Sequence, residues 1–93
     1  MIEHAARQIG MDVAEIRRVN LIPPDKFPYN TPTFYTYDSG EFVRLLDKCV
    51  EMVDWKGYEK RRKQSEKNGK LRGRSVCYYI EFGGTVWSRS TAT

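Results

Sequence analysis

The residues able to do chemistry in this chain are few and scattered. His4 is the only histidine, so a His-based zinc site, a Cys-His pair or a Ser-His-Asp triad would have to be built around one residue near the N-terminus. Cys49 and Cys77 form no CxxC pair and have no neighbouring histidine, a pattern that disfavours a metal site and predicts two free, buried thiols. Glu81 is a lone carboxylate, read as a hydrogen-bonded strand-end residue rather than an acid-base group. The densest charged feature is residues 56–74, where nine basic residues stand against Glu59 and Glu66 for a net +7, leaving −3 over the rest of the chain. Such a block could attract phosphates, with Lys60, Arg61, Arg62, Lys63 and Lys67 as its binding surface. The favoured reading is a solvated helix face followed by a basic turn.

Size limits what these groups can become. With 93 residues, 40% hydrophobic and 30% charged, and a net charge of +4, the chain is long enough for one small domain with a modest core. A complete redox enzyme with a deep cofactor cavity is excluded at this length. The apolar and aromatic content is too high for a disordered segment, and no apolar run reaches the roughly 18 to 20 residues of a membrane span. No charged segment followed by an apolar run marks a secretion leader, so the expected compartment is the cytoplasm.

The elements that must position these groups follow from periodicity and caps. Ile2, Ala5, Ala6 and Ile9 share one helical stripe that Gly10 ends, although no capping residue precedes Ile2. This predicts a helix whose beginning lies outside the stretch. Asp12 with Glu15 three positions later resembles a capping box and predicts a second helix over residues 13–20. The next segment holds every proline of the chain, Pro23, Pro24, Pro28 and Pro32, interleaved with Phe27, Tyr29, Phe34, Tyr35 and Tyr37. It cannot be helical, and is expected to be an ordered loop pinned over the core by its rings.

Ser39 is the expected cap of a third helix carrying Phe42, Leu45, Leu46, Cys49 and Val53 on its apolar stripe. Asp54 is the expected cap of a fourth, with Trp55 and Tyr58 packed inward, the basic residues in water, and Asn68-Gly69 at its end. Residues 76–82 then alternate as a strand that is apolar or aromatic on both faces, which fits the interior of a sheet. A lone strand leaves its backbone unpaired. Either residues 85–87 fold back after Gly83-Gly84, or the partner strands lie outside the chain. The fold class is therefore α+β: a mainly helical small domain of three to four helices with one C-terminal strand or hairpin.

Several short runs, taken in order, are similar to a known family. They are Glu3-His4-Ala5-Ala6-Arg7-Gln8-Ile9-Gly10-Met11-Asp12, Ala14-Glu15-Ile16-Arg17-Arg18, Asn20-Leu21-Ile22-Pro23, Phe27-Pro28-Tyr29, Thr31-Pro32-Thr33 and Tyr37-Asp38-Ser39-Gly40. Gly69-Lys70-Leu71-Arg72-Gly73 and Cys77-Tyr78 follow. Together they resemble the large, molybdopterin-binding subunit of the xanthine dehydrogenase and aerobic carbon monoxide dehydrogenase family. The resemblance runs to about Gly84, and Tyr78-Tyr79-Ile80-Glu81 is closer to the carbon monoxide dehydrogenase branch.

That resemblance implies an internal piece of a large oxidoreductase subunit, residues 1–93 being a single domain or a fragment of it. The parent would carry a molybdenum-pterin cofactor and pass electrons to flavin and iron-sulfur subunits or domains. The family's pterin-contacting loops and general-base glutamate match nothing here, so no catalytic, cofactor-binding or metal-ligating residue is assigned and the fragment itself is expected to bind no cofactor. In xanthine-oxidising members an aromatic side chain near the position of Phe82 stacks on the substrate, which makes Phe82 the one candidate substrate-lining residue; a core-strand phenylalanine is the favoured alternative. The expected function is a structural segment of the molybdenum-cofactor subunit, inactive in isolation. The expected partner is the rest of that subunit, with self-association through an exposed strand edge as a further possibility and no membrane or nucleic acid. The alternative is an autonomous basic helical module that binds nucleic acid or an acidic protein through residues 56–74.

Overall fold

The structure, a computed structural model, describes residues 1–81. Asp12 acts as the expected cap. Its carboxylate accepts from the amides of Ala14 (2.9 Å) and Glu15 (3.1 Å) and starts α2, Val13–Val19. The preceding helix, α1 (Ile2–Ile9), has no side-chain cap and ends at Gly10, whose φ of 68° is the left-handed conformation that glycine adopts without Cβ strain. A salt bridge from Arg17 to Glu3 (3.8 Å) links the two helices, with Ala6 and Ala14 buried between them.

The proline-rich stretch carries the only sheet among the described residues. After a 3₁₀ turn at Pro24–Lys26 and a cis Phe27-Pro28 peptide, β1 (Tyr29–Asn30) pairs antiparallel with β2 (Thr36–Tyr37), Tyr29 opposite Tyr37 and Asn30 opposite Thr36. The turn between them closes because Thr31 acts twice. Its backbone amide donates to the Tyr35 carbonyl (2.7 Å), and its Oγ1 accepts from the Tyr35 amide (3.1 Å). Two of the loop's five rings meet the core edge-on: Phe27 and Tyr37 lie against Phe42, at centroid distances of 5.3 and 6.5 Å. Phe34, at the hairpin tip, is fully exposed, and Tyr35 is half exposed.

Helix α3 (Phe42–Met52) begins at Glu41 without a side-chain cap, so Ser39 does not serve that purpose. Asp38 takes the Ser39 amide instead (2.8 Å), holding the turn just upstream. Of the predicted apolar stripe, Leu46 is buried, whereas Leu45 is 65% and Val53 58% exposed. Asp54 adopts a left-handed φ of 48° and accepts from the Gly57 amide, opening the 3₁₀ turn Trp55–Gly57 that leads into α4, Tyr58–Lys67. A Cβ at Gly57 would lie 2.1 Å from the Asp54 carboxylate, so a larger residue there would displace that side chain. Gly69, at φ 71°, ends α4 as predicted.

Four helices and a two-stranded hairpin make this the expected α+β class, but the hairpin lies in the proline-rich segment. Residues 76–81 have the composition of a strand and join no sheet among the described residues. Strand structure is a property of pairing, and alternation alone cannot supply a neighbour. Among the described residues the core is correspondingly small: Ala6, Ala14, Leu46 and Trp55 are the buried apolar residues, with Ser65 the buried polar one. No helix among the described residues is long and apolar enough to cross a membrane.

Candidate functional site

The most connected side chains of the chain meet where the 3₁₀ turn before α4 faces the start of α2. Trp55 is 8% exposed, and its indole Nε1–H donates to both carboxylate oxygens of Asp12, at 3.0 and 3.2 Å. Arg74 lies over the same indole, its guanidinium carbon 4.0 Å from the ring centroid and 4.4 Å from that of Tyr58. It donates to the Trp55 carbonyl at 2.5 Å and lies 3.7 Å from Asp12. Burial raises the Asp12 pKa, but the Trp55 indole, the Glu15 and Ala14 amides and the Arg74 charge outweigh that effect and hold the carboxyl below its usual value.

This clasp fixes the path of the chain after α4. Tyr58 donates from its hydroxyl to the Arg72 carbonyl (2.8 Å), Arg72 donates to the buried Ser65 hydroxyl (2.6 Å), and Ser75 donates to Glu3 (2.7 Å). Residues 72–75 are thereby tied to α1 and α4. Beyond them, residues 76–80 form one wall of an open groove of about 740 Å³ whose other wall is α3, with Leu45, Leu46, Cys49, Val76, Tyr78 and Ile80 among its lining. The lining is mainly apolar. Cys49 and Cys77 both border it and both are exposed, not buried as expected, because neither segment has a further layer packed on it.

The basic surface divides into two kinds of residue. Arg61 donates to the Asp54 carboxylate (2.7 Å) and to the carbonyls of Val53 (3.1 Å) and Asp54 (2.8 Å), so it closes the end of α3. Arg62 is held between Glu59 (3.1 Å) and Glu66 (2.5 Å) on its own helix. Lys60, Lys63 and Lys67 are exposed and form no ion pair among the described residues. The sequence-predicted patch is thus three free lysines beside two arginines already engaged.

His4 is exposed on α1, and no group of three or more His, Cys, Asp or Glu side chains among the described residues could hold a metal ion. Glu81 is exposed, and Phe82 lies outside the described residues. The Asp12–Trp55–Arg74 clasp has no counterpart in the sequence reading, which takes Asp12 as a cap and Arg74 as part of a basic turn. Its partners are 43 and 19 positions apart, and no local spacing signals them.

No family model matches the chain. The large subunit of nicotine 6-hydroxylase from Paenarthrobacter nicotinovorans is 30% identical over 84 residues, which is 90% of this chain and 10% of that protein. The carbon monoxide dehydrogenase large chain of Hydrogenophaga pseudoflava is 32% identical over 87 residues, 90% of this chain and 11% of that one. Among solved structures, quinoline 2-oxidoreductase from Pseudomonas putida 86 superposes with a TM-score of 0.67 at 31% identity, over 73% of this chain and 9% of that one. The chain spans about a tenth of the length of the curated relatives it matches.

Proposed function

The chain is homologous to one segment of the large subunits of carbon monoxide dehydrogenase-type molybdenum oxidoreductases, and we propose that it is a structural segment of such a subunit, with no catalytic activity of its own. The observation that carries this reading is the asymmetry of the matches, nine-tenths of this chain against one-tenth of each relative. The small core supports it. Among the described residues only four apolar side chains are buried, a small core for 81 residues, and a segment packed inside a larger body needs no complete core.

In this role the parent subunit, not this chain, supplies the molybdenum-pterin cofactor, the substrate pocket and any contact with flavin or iron-sulfur partners. The chain's own contribution is mechanical. Asp12, Trp55 and Arg74 clamp α2, the turn before α4 and the exit from α4 into one unit, from which residues 76–80 run on to face α3 across the groove. Phe82 follows that run, and a substrate-lining role for it in the parent is part of this proposal.

The test is the cofactor content of the purified chain, measured as molybdenum by mass spectrometry and as pterin by fluorescence after oxidation. The expected result is no stoichiometric retention of either. One equivalent of molybdenum or pterin bound by these 93 residues would overturn the reading. So would a coding sequence that shows no further subunit residues on either side of the stretch.

A further inference from the structure

The backbone of the groove's outer wall is unpaired. From Leu71 to Glu81 no amide donates to a backbone carbonyl among the described residues, and the run has neither turn nor bend. Water can solvate such a backbone, but the side chains on it are not those of a solvated loop. Val76, Tyr78 and Ile80 alternate with Cys77 and Tyr79, and there is no charged residue between Arg74 and Glu81. Tyr79 is 80% exposed and Ile80 47%. Exposed strand edges normally carry charge or proline as protection, and runs apolar on both sides belong to strands of sheets whose two faces are both covered.

We propose that residues 76–81 become an interior β-strand by pairing with strand edges from the rest of the large subunit, so that this chain joins its parent by strand addition. The inference rests on the scaffold reading above. Three observations make the larger polypeptide the occupant. First, the relatives are about ten times longer than this chain, so a body able to supply two strand edges accompanies the matched segment in each of them. Second, a second copy of the chain could pair along one edge only, leaving the other edge and the Tyr79 face open. Third, the strand is already aimed: Arg72, Arg74 and Ser75 are fixed on Ser65, Trp55 and Glu3, so little ordering remains to be done when a neighbour arrives. Helix α3 then covers one face of the completed sheet through Leu45 and Cys49, the exposed half of its apolar stripe.

The experiment is amide hydrogen exchange on the 93-residue chain alone, and on the same chain mixed with a polypeptide made of the flanking subunit residues expressed without it. Residues 76–81 should exchange near the unstructured rate in the chain alone and about a hundredfold more slowly in the mixture. Ile80→Pro, which removes a ladder donor outside the helices, should abolish that protection. Phe34→Ala, at the exposed hairpin tip, should leave it intact, and circular dichroism should report unchanged helices in both variants. Protection already present in the chain alone would overturn the proposal, because the strand would then be completed within the chain or between copies. Assembly without protection at residues 76–81 would overturn it while leaving the scaffold reading standing. Failure of the two polypeptides to associate would overturn both.

Discussion

The Trp55 indole reaches back 43 positions to donate to both oxygens of Asp12, the residue that caps α2. One carboxylate therefore serves helix initiation and the burial of the largest core side chain at once. Asp12→Ala removes the cap and leaves the indole N–H without its acceptor, and should lower unfolding free energy by about 2 kcal/mol. Asp12→Asn keeps an acceptor for both and should cost about half as much. Urea denaturation followed by ellipticity distinguishes the two; equal effects would mean that the carboxylate charge, rather than an acceptor oxygen for the amides and the indole, carries the stabilisation.

The same carboxylate sets an acid limit. Its pKa lies below the usual 3.8, because the indole, two amides and Arg74 together outweigh the opposing effect of burial. A depressed folded-state value means that its stabilisation is complete above the unfolded pKa and is lost as pH falls through the folded one. The contribution of Asp12 to the thermal midpoint should be full and constant between pH 7 and 5 and should decline below about pH 4. In Asp12→Asn that part of the acid decline should disappear, which paired melting curves at pH 3 and 6 would reveal.

Trp55 and Arg74 should separate in size of effect. Trp55→Ala empties most of a small core and should cost about 3 kcal/mol, a large share of a small domain's stability. Arg74→Lys keeps the charge but loses the flat guanidinium lying between the Trp55 and Tyr58 rings and its bond to the Trp55 carbonyl. It should cost about 1 kcal/mol. A lysine variant as stable as the parent chain would show that charge alone holds the clasp.

The contrast between these contacts and the helices explains how much the sequence reveals. Gly10, Asp12, Asp54 and Gly69 are legible because a cap is a local event, decided within a few residues. Ser39 fails as a cap because its turn upstream of α3 is closed by Asp38 instead. The hairpin is hidden by the four prolines of its segment, which argue against helix without indicating that Thr31 and Tyr35 can close a turn. Residues 76–81 carry the alternation of a strand, yet a strand also requires a neighbour that composition cannot specify. The candidate site is less legible still, because Asp12, Trp55 and Arg74 come from three separate elements.

The basic surface should behave as two populations. Arg61→Ala loses three bonds that close the end of α3 and should lower the thermal midpoint by about 5 °C, corresponding to roughly 1 kcal/mol. Lys60→Gln and Lys63→Gln, both fully solvated positions, should leave it unchanged. Titration with a labelled duplex at low and high salt checks the binding alternative on the same proteins. Weak binding that varies little with salt is expected; micromolar binding that falls steeply with salt and is lost in the lysine variants would establish the patch as a phosphate surface.

Cys49 and Cys77 border the same apolar groove from opposite walls, and both are exposed. In the isolated chain both should react with an aromatic disulfide reagent at the rate of a solvated thiol, giving two equivalents of released thiolate. Covering the groove changes this for a physical reason: the thiolate is the nucleophile, and an apolar layer over it excludes the reagent. Assembly with the flanking subunit residues should slow Cys77 by at least about tenfold, since it lies on the run expected to pair, and should slow Cys49 as α3 is covered. Cys49→Ser and Cys77→Ser assign the two phases. Unchanged reactivity of Cys77 after assembly would show that its segment stays in solvent and that the groove meets no neighbour.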